Sequence, residues 1–306
     1  MDMLNELLKT VSVERIATHI RSLAGVRHPL AAPAALLQAA CYVRDCLASS
    51  GCCMSEQRFQ DGGASFANVI GTLAGTRFPD ERVMVLAHFD TVAASPGADD
   101  NASGVAVLLE LAALLSRCRF ERSVQFIAVN LEENAGEDAS GAGVRGSRAL
   151  AGLARESGWD IAGVLVLESV GCAGEQLSQR APAGIPVEVP KAGDFLAVIG
   201  NEYSRGLVQS FGRAIERHRI ALPYLSLVVP GNGELLPDTR RSDHAPFWDN
   251  GYRAVLLTDT TDFRNPHYHQ PSDTFETLNL PFAAEVCRGS GALVMELAGA
   301  YCPGHR

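Results

Sequence analysis

Residues 83–118, VMVLAHFDTVAASPGADDNASGVAVLLELAALLSRC, decide how the chain is read. VMVLA is a short unbroken apolar run, the pattern of a strand buried on both faces of a sheet. From Asn101 onward, small residues open a stretch with apolar residues at helical spacing. Between strand and helix lie His88, Asp90 and Asp100, polar side chains placed just past the carboxyl end of a strand. That is where an α/β enzyme builds its active site.

Outward from this unit the alternation continues. SFANVIGTLAG (65–75) reads as a strand before it, and RSVQFIAVNL (122–131) as a strand after it. GVRGSRALAGLARES (143–157) is helical, DIAGVLVLES (160–169) and DFLAVIG (194–200) are strands, and SRGLVQSFGRAIERH (204–218) is a helix. LSLVVPG (225–231), the short helix SDHAPFWDN (242–250), the strand YRAVLLTDT (252–260) and a last helix from Pro281 complete the series. The pattern predicts an α/β fold: one domain over 1–306, with a mixed, mostly parallel central sheet covered by helices on both faces. Residues 1–60 read as mostly helical. Residues 172–193 have Gly, Pro and mixed charges without a period, and read as a loop over the site, as does PGNGELLPDTRR (230–241).

The 306 residues, 47% of them apolar, are enough to bury a large core. A formal net charge of −9 and the lack of a Lys/Arg-rich run argue against nucleic acid or an anionic membrane as partner, because both need a basic footprint. A peptide or an amino-acid derivative fits better. The start is acidic and amphipathic, so it reads as a helix rather than a secretory signal, and no stretch is apolar enough to span a membrane. The eight Cys are scattered and form no CxxC pair. This composition points to buried or surface thiols in a reducing, cytoplasmic compartment. Nothing in the sequence sets the oligomeric state.

Two further strand ends carry acids: Glu132 and Glu133 after VQFIAVNL, and Glu168 at the end of VLVLE. Adjacent carboxylates repel unless a cation or proton divides their duties. His88 and Asp90, two apart on an extended backbone, point the same way, so Asp90 can orient the imidazole of His88. His267 and His269 flank Tyr268 in a Pro-bounded loop. A structural ion pair, a helix cap or a solvated turn would explain each feature alone, but not all of them in this order.

HFDTVAASPGADDNASG, NLEENAG, VLVLESVG, RRSDHAPFWDNGY and FRNPHYHQPSDT together resemble the motifs of the co-catalytic di-zinc exopeptidases, which include bacterial leucyl aminopeptidases, glutamate carboxypeptidases and glutaminyl cyclases. The resemblance runs from about Ala87 to Thr274. It implies two zinc ions per chain bridged by Asp100, with His88 and Glu168 on one and Glu133 and His269 on the other. Glu132 is then the general base, Asp90 orients His88, and Tyr268 donates to the tetrahedral intermediate. It also implies a cis peptide between Asp100 and Asn101. The chain departs from the pattern at Glu168, where most aminopeptidase relatives have Asp, and at His267, a rival to His269.

The expected activity is hydrolysis of a terminal peptide bond by a metal-bound hydroxide, with an aminopeptidase leading. A zinc carboxypeptidase or amidohydrolase, a one-zinc glutaminyl-cyclase-like acyltransferase and a non-catalytic binding module are the alternatives. Substrate contacts are expected at Glu202, which could attract an α-amine, and in the segment Arg241, Ser242, Asp243 and His244, where Arg241 or its neighbour Arg240 could instead bind a carboxylate.

Overall fold

A computed structural model describes residues 2–133 and 143–301. The central sheet has eight strands: β1 (Cys53–Asp61), β2 (Ala64–Leu73), β3 (Phe78–His88), β4 (Arg122–Val129), β5 (Asp160–Glu168), β6 (Leu196–Asn201), β7 (Tyr224–Val229) and β8 (Ala254–Thr258). Their spatial order is β1-β2-β4-β3-β5-β8-β6-β7. The middle four, β4, β3, β5 and β8, run parallel. β2 joins β4 antiparallel on one side, and the parallel pair β6 and β7 joins β8 antiparallel on the other.

Alternation along β3 builds two cores. Val83, Val85 and Ala87 face a layer formed by α1 (Asp2–Lys9), α2 (Val13–Leu23), α3 (Pro33–Ser49), α4 (Gly104–Leu115), α6 (Arg205–His218) and α8 (Leu280–Ala298). Met84 and Leu86 face the other side, covered by α5 (Arg145–Glu156) and α7 (Ala245–Asp249). A strand buried on both faces needs no polar alternation, which is why VMVLA is apolar throughout. Among the described residues no helix is long and apolar enough to cross a membrane.

The helical reading of the amino-terminal part needs correction after Ser49: residues 53–61 form an edge strand. β1 is largely exposed, so its sequence carries no clear apolar face. The signal for it lies in the turn, where Gly62 and Gly63 both take positive φ (54° and 82°) and close a tight hairpin into β2. The expected loop at 172–193 contains a small hairpin, Gly174–Ser178 against Ala192–Gly193. Cys41, Cys46, Cys52, Cys53, Cys172 and Cys287 are free thiols, whereas Cys118 is disulfide-bonded.

Candidate metal centre

Parallel β3, β4 and β5 deliver their carboxyl ends to one edge of the sheet. His88 is the last residue of β3 and Glu168 the last of β5. Beyond β4, Leu131 turns the chain with φ 59°, so Glu132 and Glu133 leave the strand's alternation and both reach the same edge. Asp100 sits in a wide turn between β3 and α4, closed by the Ala102 N–H donating to the Gly97 carbonyl at 3.1 Å. The Asp100–Asn101 peptide is cis. Gly104 is required at the start of α4, because a Cβ there would lie 2.3 Å from Asn101 Oδ1. His269 comes from the loop after β8 and also has a positive φ of 58°.

These side chains converge. Asp100 Oδ1 is 3.1 Å from His88 Nε2, which is 3.4 Å from Glu168 Oε1. Asp100 Oδ2 is 3.1 Å from His269 Nε2, which is 3.2 Å from Glu133 Oε1. Asp100 therefore turns one oxygen to each of two acid–imidazole pairs. Asp100 Oδ1, Glu133 Oε1 and His269 Nε2 are buried and make no hydrogen bond despite this closeness. Donor atoms converging on a common point are what a cation requires, and these donor types suit zinc. His267 stays outside, its Nδ1 2.9 Å from Ser272 Oγ.

The electrostatics are those of anions confined together. Burial pushes Glu132 well above the usual carboxylate range, and pushes Glu133 up to about 7 with Asp100 adding and His269 opposing. Burial disfavours a charged His269, but Asp100 and Glu133 outweigh it and hold the ring up to about 10. Tyr268 stacks on His269 with centroids 3.9 Å apart, and burial beside Asp100 and Glu133 keeps its phenol protonated. Without a cation this cage holds protons that a metal would displace.

The supporting contacts differ in part from expectation. Asp90 does not spend its carboxylate mainly on His88: Oδ1 and Oδ2 accept the backbone N–H groups of Glu132 and Glu133 at 3.0 and 3.1 Å. His88 Nδ1 lies 3.2 Å from the Asp90 carbonyl and 3.6 Å from its carboxylate. Asp90 thus aims the two glutamates. Asp273 accepts the N–H groups of Asp99 and Asp100 at 2.9 and 3.2 Å, tying the loop that carries His269 to the turn that carries Asp100. Neither the Asp273 contact nor the part played by Arg27 is legible in the sequence. Arg27 is buried and donates to the carbonyls of Leu23, Gly25, Phe89, Pro96 and Gly97, so the amino-terminal helices anchor the turn between β3 and α4.

Of the expected substrate contacts, Arg240, Arg241 and Ser242 line the cavities at the cage. Glu202 is a correction. It follows β6, which runs antiparallel to β8, so it emerges at the opposite end of the sheet and is solvent-exposed there. Asp243 and His244 are also corrections, since both are fully buried where α7 begins. His244 Nε2 donates to the Thr239 carbonyl at 2.8 Å, and its ring packs edge-on to Trp248. Burial pushes Asp243 up to about 7, with His88 opposing. Residues 134–136 of the NLEENAG motif lie outside the described residues.

A cage of buried acids and imidazoles at the carboxyl edge of parallel strands is the donor set of a metal-dependent hydrolase. The profile described as peptidase family M28 matches residues 68–294, and the chain belongs to that family, which makes it a metallopeptidase. It is 30% identical over 292 residues to the uncharacterized protein YfbL of Escherichia coli, covering 91% of this chain and 86% of that one. It is 28% identical over 269 residues to a probable zinc metalloprotease of Pyricularia oryzae, covering 76% of this chain but 50% of the fungal protein. Among solved structures, the LapA aminopeptidase of Legionella pneumophila matches its fold with a TM-score of 0.72 at 20% identity, over 97% of this chain and 75% of that one.

Proposed function

We propose that the protein is a two-zinc aminopeptidase acting on peptides whose first residue has a large apolar side chain. One observation carries the reading: the two oxygens of Asp100 each face a separate acid–imidazole pair at 3.1 Å. His88 and Glu168 would hold one ion, Glu133 and His269 the other, and Asp100 both. When bound, such a pair of ions polarises the scissile carbonyl and acidifies the attacking water.

The chain's own residues do the rest. Glu132 lines both cavities at the cage, beside the donors and outside both acid–imidazole pairs, so it is free to take the water's proton and return it to the leaving amine. Tyr268 keeps its hydroxyl proton and donates it as a hydrogen bond to the developing oxyanion. Next to Asp100, Glu132 and Glu168 opens a cavity walled by Ile185, Val187, Phe195, Leu225, Leu227 and Phe263. Its apolar walls favour an apolar side chain by burial alone.

The test is zinc content together with turnover of leucine p-nitroanilide. Two zinc ions per chain and release of p-nitroaniline are expected. One zinc per chain with pyroglutamate formation from glutaminyl peptides would replace this reading with cyclisation, and no turnover of any aminoacyl substrate by zinc-loaded protein would overturn it.

A further inference from the structure

Two cavities of opposite character meet at the cage and share Glu132, Arg241 and Tyr268. The apolar one has just been assigned to the first residue of the substrate. The second opens past Glu133 and His269 and is lined by three guanidinium groups, Arg148, Arg240 and Arg241, together with Asp249 and Asn250. A scissile bond held at the cage, with its amino-terminal side chain in the apolar cavity, sends the following residue into this second cleft.

Among the described residues, the cleft's guanidinium groups are unequally paired. Asp249 is taken up by Arg240, whose Nη2 lies 2.8 Å from both of its oxygens, and Arg240 also donates to the Asn232 carbonyl. Glu133 belongs to the cage. Arg241 gives Nη1 to Asp262 at 3.0 Å, and the same nitrogen lies 3.8 Å from Asp238, a residue of the apolar cavity's wall. Arg148, exposed on the first turn of α5, has no ion pair or hydrogen bond from its side chain among the described residues. A guanidinium without a partner, next to a second only partly engaged, is a fork for a carboxylate.

We propose that this cleft binds a carboxylate on the residue after the scissile bond, with Arg148 as its principal partner and Arg241 as the second. This rests on the aminopeptidase reading and deepens it, since the preferred substrates become short acidic-ended peptides, dipeptides above all. One residue spans at most about 3.6 Å, so the α-carboxylate of a dipeptide lies nearer the cage than that of any longer peptide. A side-chain carboxylate at the same residue offers the same chemistry.

The experiment compares kcat/KM for Leu-Ala, Leu-Ala-amide and Leu-Glu-amide in the zinc-loaded protein, with leucine p-nitroanilide as the reference for the underlying activity. A preference of about tenfold for Leu-Ala over its amide, lost in Arg148→Ala, assigns the cleft to an α-carboxylate. The same preference for Leu-Glu-amide over Leu-Ala-amide, also lost in Arg148→Ala, assigns it to an acidic side chain. Equal rates for all three peptides with p-nitroanilide turnover intact overturn the inference and leave the aminopeptidase standing. So does a preference that survives in both Arg148→Ala and Arg241→Ala. Absence of p-nitroanilide turnover would instead remove the reading on which the inference depends.

Discussion

Ser242 donates its hydroxyl to Glu168 Oε2 across 2.7 Å, leaving Oε1 to face His88. This contact accounts for a glutamate at a position where the family resemblance implies aspartate. The longer side chain is anchored at one oxygen, so the other is presented in a single direction. Ser242→Ala removes the anchor, and we expect zinc affinity on the His88 side to fall about 10- to 100-fold while the other side is retained. Chelator competition would show one weakened ion out of two, and unchanged affinity for both would exclude the anchoring role.

Glu132→Ala is expected to retain metal and to lose about 10²- to 10⁴-fold in kcat, because the proton carrier is gone while the donors remain. Asp100→Ala should instead impair metal binding itself, because both acid–imidazole pairs lose their common carboxylate. Metal analysis of the two variants beside their kinetics separates the roles. Normal turnover in either one contradicts them.

Arg27 is lowered to about 10 by burial, with Asp90 and Asp100 opposing, and so remains charged at neutral pH. Replacing it by Met leaves the carbonyls of Phe89 and Gly97, among others, without their donor. The expected loss is about 3 kcal/mol in urea unfolding, accompanied by weaker zinc binding because Asp100 lies in the released turn. A variant as stable as the parent would show that solvent replaces the guanidinium without cost.

His244 sets a pH dependence away from the cage. Burial lowers its pKa from 6.5 to about 4, so the fold keeps the ring neutral while the unfolded chain takes a proton. Its stabilising effect is complete above about pH 6.5 and is lost as pH falls through that value towards 4, by about 3 kcal/mol in all. In metal-free protein, His244→Gln should lose less stability between pH 7 and 4.5 than the parent by this order of magnitude. Parallel urea midpoints for the two proteins across that range would contradict the assignment.

Much of the architecture could be read along the chain because strands buried on both faces need unbroken apolar runs and helices need a 3.6-residue period. β3, β4 and β5 met that condition, and β1 did not, being an exposed edge strand. Strand direction was a different matter. The local pattern of β6 is the same whichever way it runs, so Glu202 looked like a site residue until its antiparallel pairing with β8 placed it at the far end of the sheet.

By itself the sequence determined which residue types end each strand and in what order, and therefore that acids and imidazoles gather on one edge. Only the tertiary structure decided how they are used. It alone determined that Asp100 divides its oxygens between His88 and His269, that Asp90 aims Glu132 and Glu133 by their backbone, and that Ser242 steadies Glu168. The physical reason is range. Backbone propensity and hydrophobic period act between neighbours, whereas a hydrogen bond between Ser242 and Glu168 joins residues 74 positions apart and exists only once the sheet has set strand order and direction.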